Sequence, residues 1–370
     1  MIITIITSPF CPIPPHAIGA VEKLWFEVSE IFREKGHEVR FISKRPNDEI
    51  VSDDKVTFIK GYARTGSLAK DIVLDSIYSI RALFKIRKTD ILVLNTLFAP
   101  LILPLFKWKF KRSVYNVARF PKKQLGMYCF VDRLSCVSEA VKIALVKQTP
   151  SAEKRGAVKV ISNFINTKAF TYRDEVITDK IKIYYSGRVH PEKGLDLLAK
   201  AYSTLKKDYS NLTLSIVGAR DIARQGGGEK YINELTTIAN DIEWIDPIYN
   251  PNELCAEISK CNIYCYPSVA ELGETFGVAP LEAMACGRAT IVSALDCFKD
   301  FVHDGENALV FDHRAENAVE LLTGKIKMLI ESSNLRSRLG RAGAKTAKEE
   351  FSTERIANLY LQDFEELLKK

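Results

Sequence analysis

Two glutamates in the stretch "ELGETFGVAPLEAMACG" (271–287) have a spacing that suits ligand binding. Glu274 and Glu282 are separated by a Gly-Val pair and by Pro280. Proline suits the first turn of a helix, so the pattern predicts Glu282 within that turn and Glu274 on the loop before it. The backbone amides of Phe276–Val278 should then point outward. We interpret the stretch as a clamp in which carboxylates hold hydroxyl groups and amides hold a phosphate. Two unrelated surface glutamates are the alternative.

A second candidate is the basic loop "GRVHPEKG" (187–194), which lies between a predicted strand and a predicted helix. Arg188 and Lys193 share this short loop, and Pro191 stiffens it. Two fixed cations beside a helix N-terminus are what a diphosphate needs, both for binding and for stabilising charge on departure. The alternative is an exposed basic loop without a ligand.

A third candidate is the turn "PHAIGAVE" (15–22), which follows the first predicted strand and opens the first helix. Gly19 allows close approach of the backbone, and a helix N-terminus offers free N–H groups to an anion. His16 precedes this turn and is a candidate ligand contact. A glycine in an ordinary strand-to-helix turn is the alternative.

Short apolar strands alternate with helices along the whole chain, which predicts parallel sheets covered on both faces. Ligands bind beyond the carboxyl ends of the strands in such sheets, and all three candidate loops lie there. The pattern fades after residue 155 and restarts near residue 180. We therefore predict an α/β protein with two doubly wound, Rossmann-like domains, 1–168 and 169–350. Residues 351–370 are predicted to form a helix that packs back toward the first domain.

Composition narrows the class of protein. The chain has 370 residues, of which 46% are hydrophobic and 27% charged. Residues 1–170 carry a net charge of +13 and the remainder −6, which indicates an anionic partner for the first domain or merely a solvated surface. None of the eight cysteines forms a Cys-x-x-Cys pair, and no histidine lies at zinc spacing. The first residues, "MIITIIT", lack the features of a signal peptide. A cytoplasmic location is expected.

Taken together, the motifs resemble the retaining glycosyltransferases of the GT-B fold, family 4 (glycosyl transferases group 1). The resemblance rests on an E-x7-E stretch that begins a helix, an upstream G-R-x-x-x-x-K-G loop and an N-terminal G-x-x-E turn. The segments "GAVEKLWFEVSEIFREKGHEV", "DRLSCVSEAVK", "VKVISNFINTKAF" and "HDGENALVF" extend it over nearly the whole chain. It implies two Rossmann-like domains facing across a cleft.

The resemblance also implies roles for the residues of the second domain. Arg188 and Lys193 would hold the diphosphate of a nucleotide sugar without a metal. Glu282 would bind the ribose hydroxyls. Glu274 would bind the hydroxyls of the donor sugar and, with the two cations, would form the catalytic set.

Main-chain contacts complete the implied donor site. The amides of Phe276 and Gly277 would assist at the donor sugar, and the amide of Val278 would reach a phosphate. The N–H of Gly19 would reach the same phosphate when the domains close. The main chain near Ile248 would contact the base.

Three positions depart from the family pattern. Ala118 stands where many relatives have a histidine, and Arg119 follows it as a candidate contact of the donor sugar or of an anionic acceptor. A structural salt bridge of Arg119 is the alternative. Ala20 replaces a second glycine in the first turn, and Asp246 replaces a glycine near the base pocket.

The sequence thus predicts a metal-independent hexosyltransferase that acts with retention and has no cofactor beyond the nucleotide sugar. The acceptor would be a glycan, a lipid-linked molecule or a small molecule. The basic run "KWKFKR" (107–112) adds a peripheral contact with the anionic inner membrane surface, and no nucleic acid is expected. The alternatives are a sugar-nucleotide epimerase or phosphorylase of similar architecture, or a non-catalytic regulatory protein that binds sugar nucleotides.

Overall fold

The structure is a computed structural model, and it describes residues 1–14, 19–46, 55–175 and 179–370. The chain divides into two compact units. The first unit comprises Met1–Phe164 together with Thr353–Lys370, and the second comprises Ile165–Ser352. The chain therefore passes from the first unit to the second a few residues before the predicted boundary at 168. It returns to the first unit just after residue 350.

The first unit is built on a seven-stranded parallel sheet whose strand order is β3-β2-β1-β4-β5-β6-β7. Its strands are β1 (Ile2–Ile6), β2 (Glu38–Lys44), β3 (Val56–Ile59), β4 (Thr89–Leu94), β5 (Phe110–Val117), β6 (Arg133–Cys136) and β7 (Val158–Val160). The central strands β1 and β4 are almost wholly buried, as expected of strands covered by helices on both faces. The strand β7 falls in the stretch where the sequence pattern fades.

In the described residues of this unit, five α-helices cover the sheet. They are α1 (Ala20–Glu34), α2 (Leu68–Lys85), α3 (Glu139–Gln148), α4 (Pro150–Lys154) and α11 (Thr353–Lys369). The side chain of Ser138 accepts a hydrogen bond from the Val141 amide and caps α3, because a serine there satisfies one of the unpaired N–H groups of the first turn.

The last helix, α11, completes the core of the first unit. Trp25 and Phe32 on α1 contact Tyr360 and Phe364, with ring centroids 4.9 and 6.0 Å apart. Asp363, which is fully buried, forms an ion pair of 2.8 Å with Arg133 of β6. The aromatic contacts supply apolar burial, and the buried ion pair fixes the position of the helix on the sheet.

The second unit repeats the topology with six parallel strands in the order β10-β9-β8-β11-β12-β13. They are β8 (Ile181–Ser186), β9 (Leu212–Val217), β10 (Glu243–Ile245), β11 (Ile263–Tyr266), β12 (Ala289–Ser293) and β13 (Leu309–Phe311). In both units the strand order reverses beside the first strand of the sheet, between β1 and β4 and between β8 and β11. Ligands of open α/β sheets bind at such switch points, outside the carboxyl ends of the strands.

Six α-helices cover the second sheet in the part of this unit that the structure describes. They are α5 (Leu195–Leu205), α6 (Gly228–Ile238), α7 (Pro251–Ile258), α8 (Val278–Ala285), α9 (Ala318–Glu331) and α10 (Ser333–Glu350). Within the described part of the chain, none of the helices has the length and apolarity needed to cross a membrane. The two doubly wound α/β units predicted from the sequence are therefore present.

The Arg133–Asp363 pair gives a test of how α11 is held. Replacing Asp363 with Ala leaves the Arg133 guanidinium buried without its carboxylate, which should destabilise the first unit by about 3–5 kcal/mol. Urea unfolding followed by circular dichroism and tryptophan fluorescence measures the change.

The matched control is Glu366→Ala on the same helix. Glu366 is exposed and contacts Lys159 at 3.0 Å, so its loss should cost no more than about 1 kcal/mol. Equal unfolding midpoints for the Asp363 variant and the unmodified chain would show that the buried pair does not hold the helix.

Candidate active site

Two loops meet at the switch point of the second unit. Residues 187–194 follow β8, and residues 267–277 follow its neighbour β11. The Val269 amide and the Ser268 hydroxyl both donate to the carbonyl of Glu192, at 3.0 and 3.3 Å. Gly194 has φ 63°, and a Cβ added there would lie 2.2 Å from the Pro267 carbonyl oxygen. Only glycine fits this approach, so the predicted basic loop and the predicted glutamate loop are joined directly.

A buried ion pair links the two loops. Lys193 Nζ lies 2.6 Å from Glu274 Oε2, and the side chains are only 8% and 14% exposed. The hydroxyl of Tyr266, the last residue of β11, donates to the same Oε2 at 2.9 Å. The Lys193 ammonium also lies 5.5 Å from the centroid of the Tyr266 ring, a favourable cation–π distance. The structure thus brings together two residues that the sequence separates by 81 positions.

Two stacked tyrosines form the floor beneath this pair. The rings of Tyr185 and Tyr266 are 5.5 Å apart and nearly parallel. Burial, and then the negative charge of Glu274, raises the pKa of both phenols well above its usual value. Tyr266 therefore stays protonated and remains a hydrogen-bond donor to Glu274. Tyr185 donates to the Arg188 carbonyl at 2.9 Å, which fixes the start of the basic loop.

Arg188 differs from Lys193 in its surroundings. Its side chain is 41% exposed and pairs with Glu192 four residues on, at 2.6 Å. It also donates to the carbonyl of Gln225 at 3.3 Å, in the glycine-rich loop that precedes α6. That loop is attached to the same segment because the Gly227 amide donates to the Val189 carbonyl at 2.7 Å. Arg188 is thus a solvent-accessible cation at the border of the site.

The helix α8 begins two residues earlier than the position of Pro280 predicts. Gly277 precedes it with φ 94°, and a Cβ added there would lie 2.4 Å from the Phe298 ring. Glu282 is consequently the fifth residue of the helix, so its predicted place in the first turn is wrong. The N-cap residue Gly277 has no side chain and makes no cap hydrogen bond, so the amides at the Val278 end are suited to an anion. Phe276 is buried against Phe301 and Phe351 and so fixes the loop.

The predicted base contact lies at the edge of the same sheet. Ile248 is half-buried in the loop that follows β10, and β10 is separated from β8 by β9. Asp246, which replaces the usual glycine, is exposed and pairs with Arg220 at 2.6 Å. This ion pair lies on the loop that the resemblance assigns to the base.

The candidate ligand contacts of the first unit include Gly19, before α1, and Arg119, after β5. Gly19 has φ 126° and immediately precedes α1, and a Cβ there would lie 2.9 Å from Glu22 Oε2. Glu22 is buried and accepts a hydrogen bond of 2.6 Å from the Ser8 hydroxyl. His16 lies outside the described residues. Arg119 is exposed, and no carboxylate among the described residues forms an ion pair with it, so the alternative of a structural salt bridge is not found there.

Sequence reasoning missed the anchor of the glutamate loop. Glu271 accepts from Arg314 Nε and Nη2 at 2.7 and 2.9 Å and lies 2.9 Å from His313 Nε2. Burial opposes ionisation of Glu271, but the hydrogen bonds from Arg314 and His313 outweigh it and lower the pKa of the carboxyl group. The two tyrosines were missed as well, because "KIYYSG" and "NIYCYPS" have the composition of ordinary core strands.

In the parts of the chain that the structure describes, no three His, Cys, Asp or Glu side chains are grouped so that they could hold a metal ion. The charged groups at the switch point are arranged as cation–carboxylate pairs.

The fold has close structural relatives. Sucrose-phosphate synthase from Thermosynechococcus elongatus aligns with all of this chain and 99% of its own, with a TM-score of 0.79 at 18% identity. The Anabaena protein HepE, solved with UDP and glucose, aligns with 98% of this chain and 99% of its own, with a TM-score of 0.72 at 16% identity. Two Rossmann-like units that align with these enzymes define the GT-B fold of glycosyltransferases.

Sequence comparison finds a family match in the second unit. Residues 169–346 match the family described as glycosyl transferases group 1. An uncharacterized glycosyltransferase of Methanocaldococcus jannaschii is 26% identical over 68% of this chain and 64% of its own length. The phosphatidyl-myo-inositol mannosyltransferase of Mycobacterium tuberculosis strain H37Rv is 28% identical over 44% and 41%. The aligned part of the chain spans less than two thirds of both curated relatives.

The predicted resemblance is therefore confirmed at the level of the group. The region 169–346, which carries the Lys193–Glu274 pair, matches the family of glycosyl transferases group 1. Family 4 and a retaining mechanism stay predictions.

The Glu271 anchor can be tested without knowledge of the reaction. Glu271→Gln keeps the size of the side chain but removes the charge that holds Arg314, so the loop should open more often. The amides of Gly273 and Glu274, which donate to the Ala270 carbonyl, should exchange up to about fivefold faster, as expected for the loss of an exposed ion pair. Hydrogen exchange measured by mass spectrometry detects this change.

Glu331→Gln is the control, because Glu331 is an exposed glutamate of α9 that pairs with Lys327 at 3.8 Å. Unchanged exchange in the Glu271 variant, or an equal effect of the control on the loop, would contradict the anchoring role.

Proposed function

We propose that the protein is a metal-independent glycosyltransferase that transfers a hexose, with retention, from a nucleotide diphosphate sugar. The acceptor is a glycan, a lipid-linked molecule or a small molecule. The observation that carries the proposal is the buried Lys193–Glu274 pair at the switch point, next to the uncapped end of α8. The family match of the same region supports it.

Lys193 is the proposed principal contact of the diphosphate. In the structure its charge is compensated by one carboxylate in a largely desolvated place, where electrostatic interactions are strong. A phosphate oxygen that approaches from the α8 end can share the ammonium with Glu274. Arg188 would add a second, exposed cation and the Val278 amide a neutral donor. These groups are suited to stabilising the charge of a departing diphosphate.

Glu274 is proposed to bind hydroxyl groups of the transferred sugar. Tyr266 and Lys193 both use its Oε2, which orients the carboxylate and leaves Oε1 to accept hydrogen bonds from a ligand. The amides of Phe276 and Gly277 lie on the same loop. Glu282 is proposed to bind the ribose from the second turn of α8.

The proposed reaction needs no nucleophile from the protein. The bond between the anomeric carbon and the diphosphate oxygen breaks, and its electron pair leaves with the phosphate. The acceptor oxygen then bonds to the same carbon on the same face, and its proton passes to the departing phosphate oxygen. This route fits a chain that has Ala118 in place of an imidazole. Gly19, His16 and Arg119 remain proposed ligand contacts of the first unit, and Ile248 of the base.

The names of the relatives favour a hexose donor. The mycobacterial relative is a mannosyltransferase that acts on a phosphatidyl-inositol, and the Anabaena protein was solved with UDP and glucose. For this chain they support a nucleoside diphosphate hexose, without choosing the base or the sugar.

The function is tested by assaying hexose transfer from uridine, guanosine and adenosine diphosphate sugars, with and without a chelator. We expect transfer from one donor that persists after chelation, because cations of the protein replace the metal. Complete loss that magnesium restores would contradict metal independence. Binding of nucleotide without turnover would favour a regulatory protein, and conversion of the donor without an acceptor would favour an epimerase.

The two glutamates should differ in their effects on binding and transfer. Glu274→Gln removes the carboxylate that competes with phosphate for Lys193. Affinity for the free nucleoside diphosphate should therefore stay or rise, while kcat for transfer falls about a hundredfold. Glu282→Gln should weaken free nucleotide and full donor alike, by roughly tenfold, because both carry the ribose.

Calorimetry with the nucleoside diphosphate, paired with transfer kinetics, measures both effects. Glu253→Gln, an exposed glutamate on α7, is the control and should change neither. If Glu274→Gln loses free-nucleotide affinity while Glu282→Gln keeps it, the two roles are reversed.

A further inference from the structure

The helix α2 of the first unit has an unusually apolar exposed side. Six of its large apolar residues are exposed, and their exposed fractions run from 38% to 72%. They are Leu68, Ile72, Val73, Ile77, Ile80 and Phe84. No other helix in the described residues exposes more than two such side chains. Scattered exposed apolar residues are normal, but a group on one element indicates an interaction surface.

Four of these residues form a single stripe. Val73, Ile77, Ile80 and Phe84 follow a 4-3-4 spacing, which places them on one side of a helix. The residues that α2 buries in the core lie on the opposite side; they are Asp75, Tyr78, Ser79, Ala82 and Leu83. The stripe therefore points away from the core of its unit.

The stripe continues into the segment that follows β4. The rings of Phe84 and Phe106 meet edge to face at 5.1 Å, and Phe106 stacks on Trp108 at 5.9 Å. Trp108 is 69% exposed and Leu105 65%. We define the apolar face of the first unit as Val73, Ile77, Ile80, Phe84, Leu105 and Trp108.

Cations border the apolar face. Lys70, Arg81 and Lys85 occupy the neighbouring row of α2 and are exposed. Lys107 precedes Trp108 and Lys111 follows it by three residues; their side chains are 52% and 71% exposed, with carboxylate neighbours Asp132 and Asp90 at 3.7 and 2.8 Å. The border is therefore basic along α2 and partly neutralised at the tryptophan end.

The acidic residues of α2 are occupied elsewhere. Asp71 accepts hydrogen bonds from Thr65, and Asp75 is buried and accepts from the amides of Leu97 and Phe98. No acidic residue lies in the rows of α2 that form the stripe or its basic border.

We propose that the apolar face docks onto an anionic lipid surface, with α2 lying in the plane of the membrane interface. An amphipathic helix with apolar residues on one side, a basic border and a tryptophan at its edge is suited to the boundary between headgroups and acyl chains. At about 1.5 Å per residue, 18 residues extend over roughly 27 Å along that plane. The apolar stripe of α2 inserts among the acyl chains, and the cations of its basic border contact the phosphates of the lipid headgroups.

A second copy of the chain is the weaker occupant. Self-association through an antiparallel pair of α2 helices would bring the Lys70, Arg81 and Lys85 rows of the two molecules together, with no acidic partner in those rows. Like charges placed across an interface are costly. An anionic surface complements both parts of the face, and docking does not depend on the donor or on the reaction proposed above.

The test is flotation of the full chain with vesicles of phosphatidylcholine alone or mixed with phosphatidylglycerol, at low and high salt. We expect binding only to the anionic vesicles and weaker binding at high salt, because exposed charges are screened over about 8 Å at physiological ionic strength. Equal binding to neutral vesicles, or none to either, would overturn the proposal.

Two sets of variants separate the parts of the face. Lys70→Gln/Arg81→Gln/Lys85→Gln should weaken binding to anionic vesicles by on the order of a hundredfold at low salt. The matched control, Lys147→Gln/Lys207→Gln/Lys348→Gln, removes the same charge from exposed lysines elsewhere and should have little effect. Equal losses in both triple variants would show attraction to net charge only.

The apolar part is tested with Ile77→Ser/Phe84→Ser, which should weaken binding roughly tenfold or more for each residue removed from the lipid. Met328→Ser is the control, because Met328 is 47% exposed on α9 of the second unit. Unchanged circular dichroism shows that the variants fold. Sedimentation velocity in the absence of lipid reveals self-association. A dimer that Ile77→Ser/Phe84→Ser dissolves, without vesicle binding, would assign the face to a second copy.

Discussion

The close approach of Gly194 to the Pro267 carbonyl is the constraint on which the candidate site depends. The two loops leave adjacent parallel strands, β8 and β11, and must touch if a lysine on one is to reach a glutamate on the other. A Cβ at position 194 would lie 2.2 Å from that carbonyl oxygen, and the backbone there adopts a left-handed conformation that side chains disfavour. The bonds from Val269 and Ser268 to the Glu192 carbonyl then hold the loops together. The Lys193–Glu274 pair is a consequence of this backbone contact.

Folding and the proposed ligand binding require different interactions from Lys193 and Glu274. Folding requires Glu274 to compensate a largely buried ammonium, because an unpaired buried charge is strongly destabilising. Ligand binding, as proposed, requires the ammonium to attract a phosphate as well. The arrangement meets both demands because Tyr266 shares Glu274 Oε2 with the lysine and the phenol stays protonated. Rigid support comes from outside the pair, through the Tyr185 stack below and the Glu271 anchor at the start of the loop.

The sequence predicted most strands and helices, but it did not predict which strands lie next to each other in the sheets. Periodicity located most of the strands and helices, although not β3 or β7, and it placed the basic loop and the glutamate loop at strand ends. It did not show that β8 and β11 are adjacent, so the ion pair between Lys193 and Glu274 was not foreseen. The position of Pro280 led to the wrong prediction that Glu282 lies in the first turn, because α8 begins directly after Gly277 and not at the proline. The pattern of α2 indicated a helix, but apolar residues on both of its sides concealed which side the core would take.

The two units share a topology but differ in the surfaces they present. A crossover helix buries one side against its sheet, and in a soluble domain the other side is usually polar. The second unit follows this rule, and its charged groups form ion pairs around the switch point. In the first unit α2 breaks the rule, and the excess of positive charge in residues 1–170 includes the basic row beside the apolar stripe. The core of that unit contains Tyr78, Ala82 and Leu83 from α2, and the exposed stripe lies outside it apart from the contact of Phe84 with Phe106. Its position beside three cations is better explained by a surface that the helix meets outside the protein.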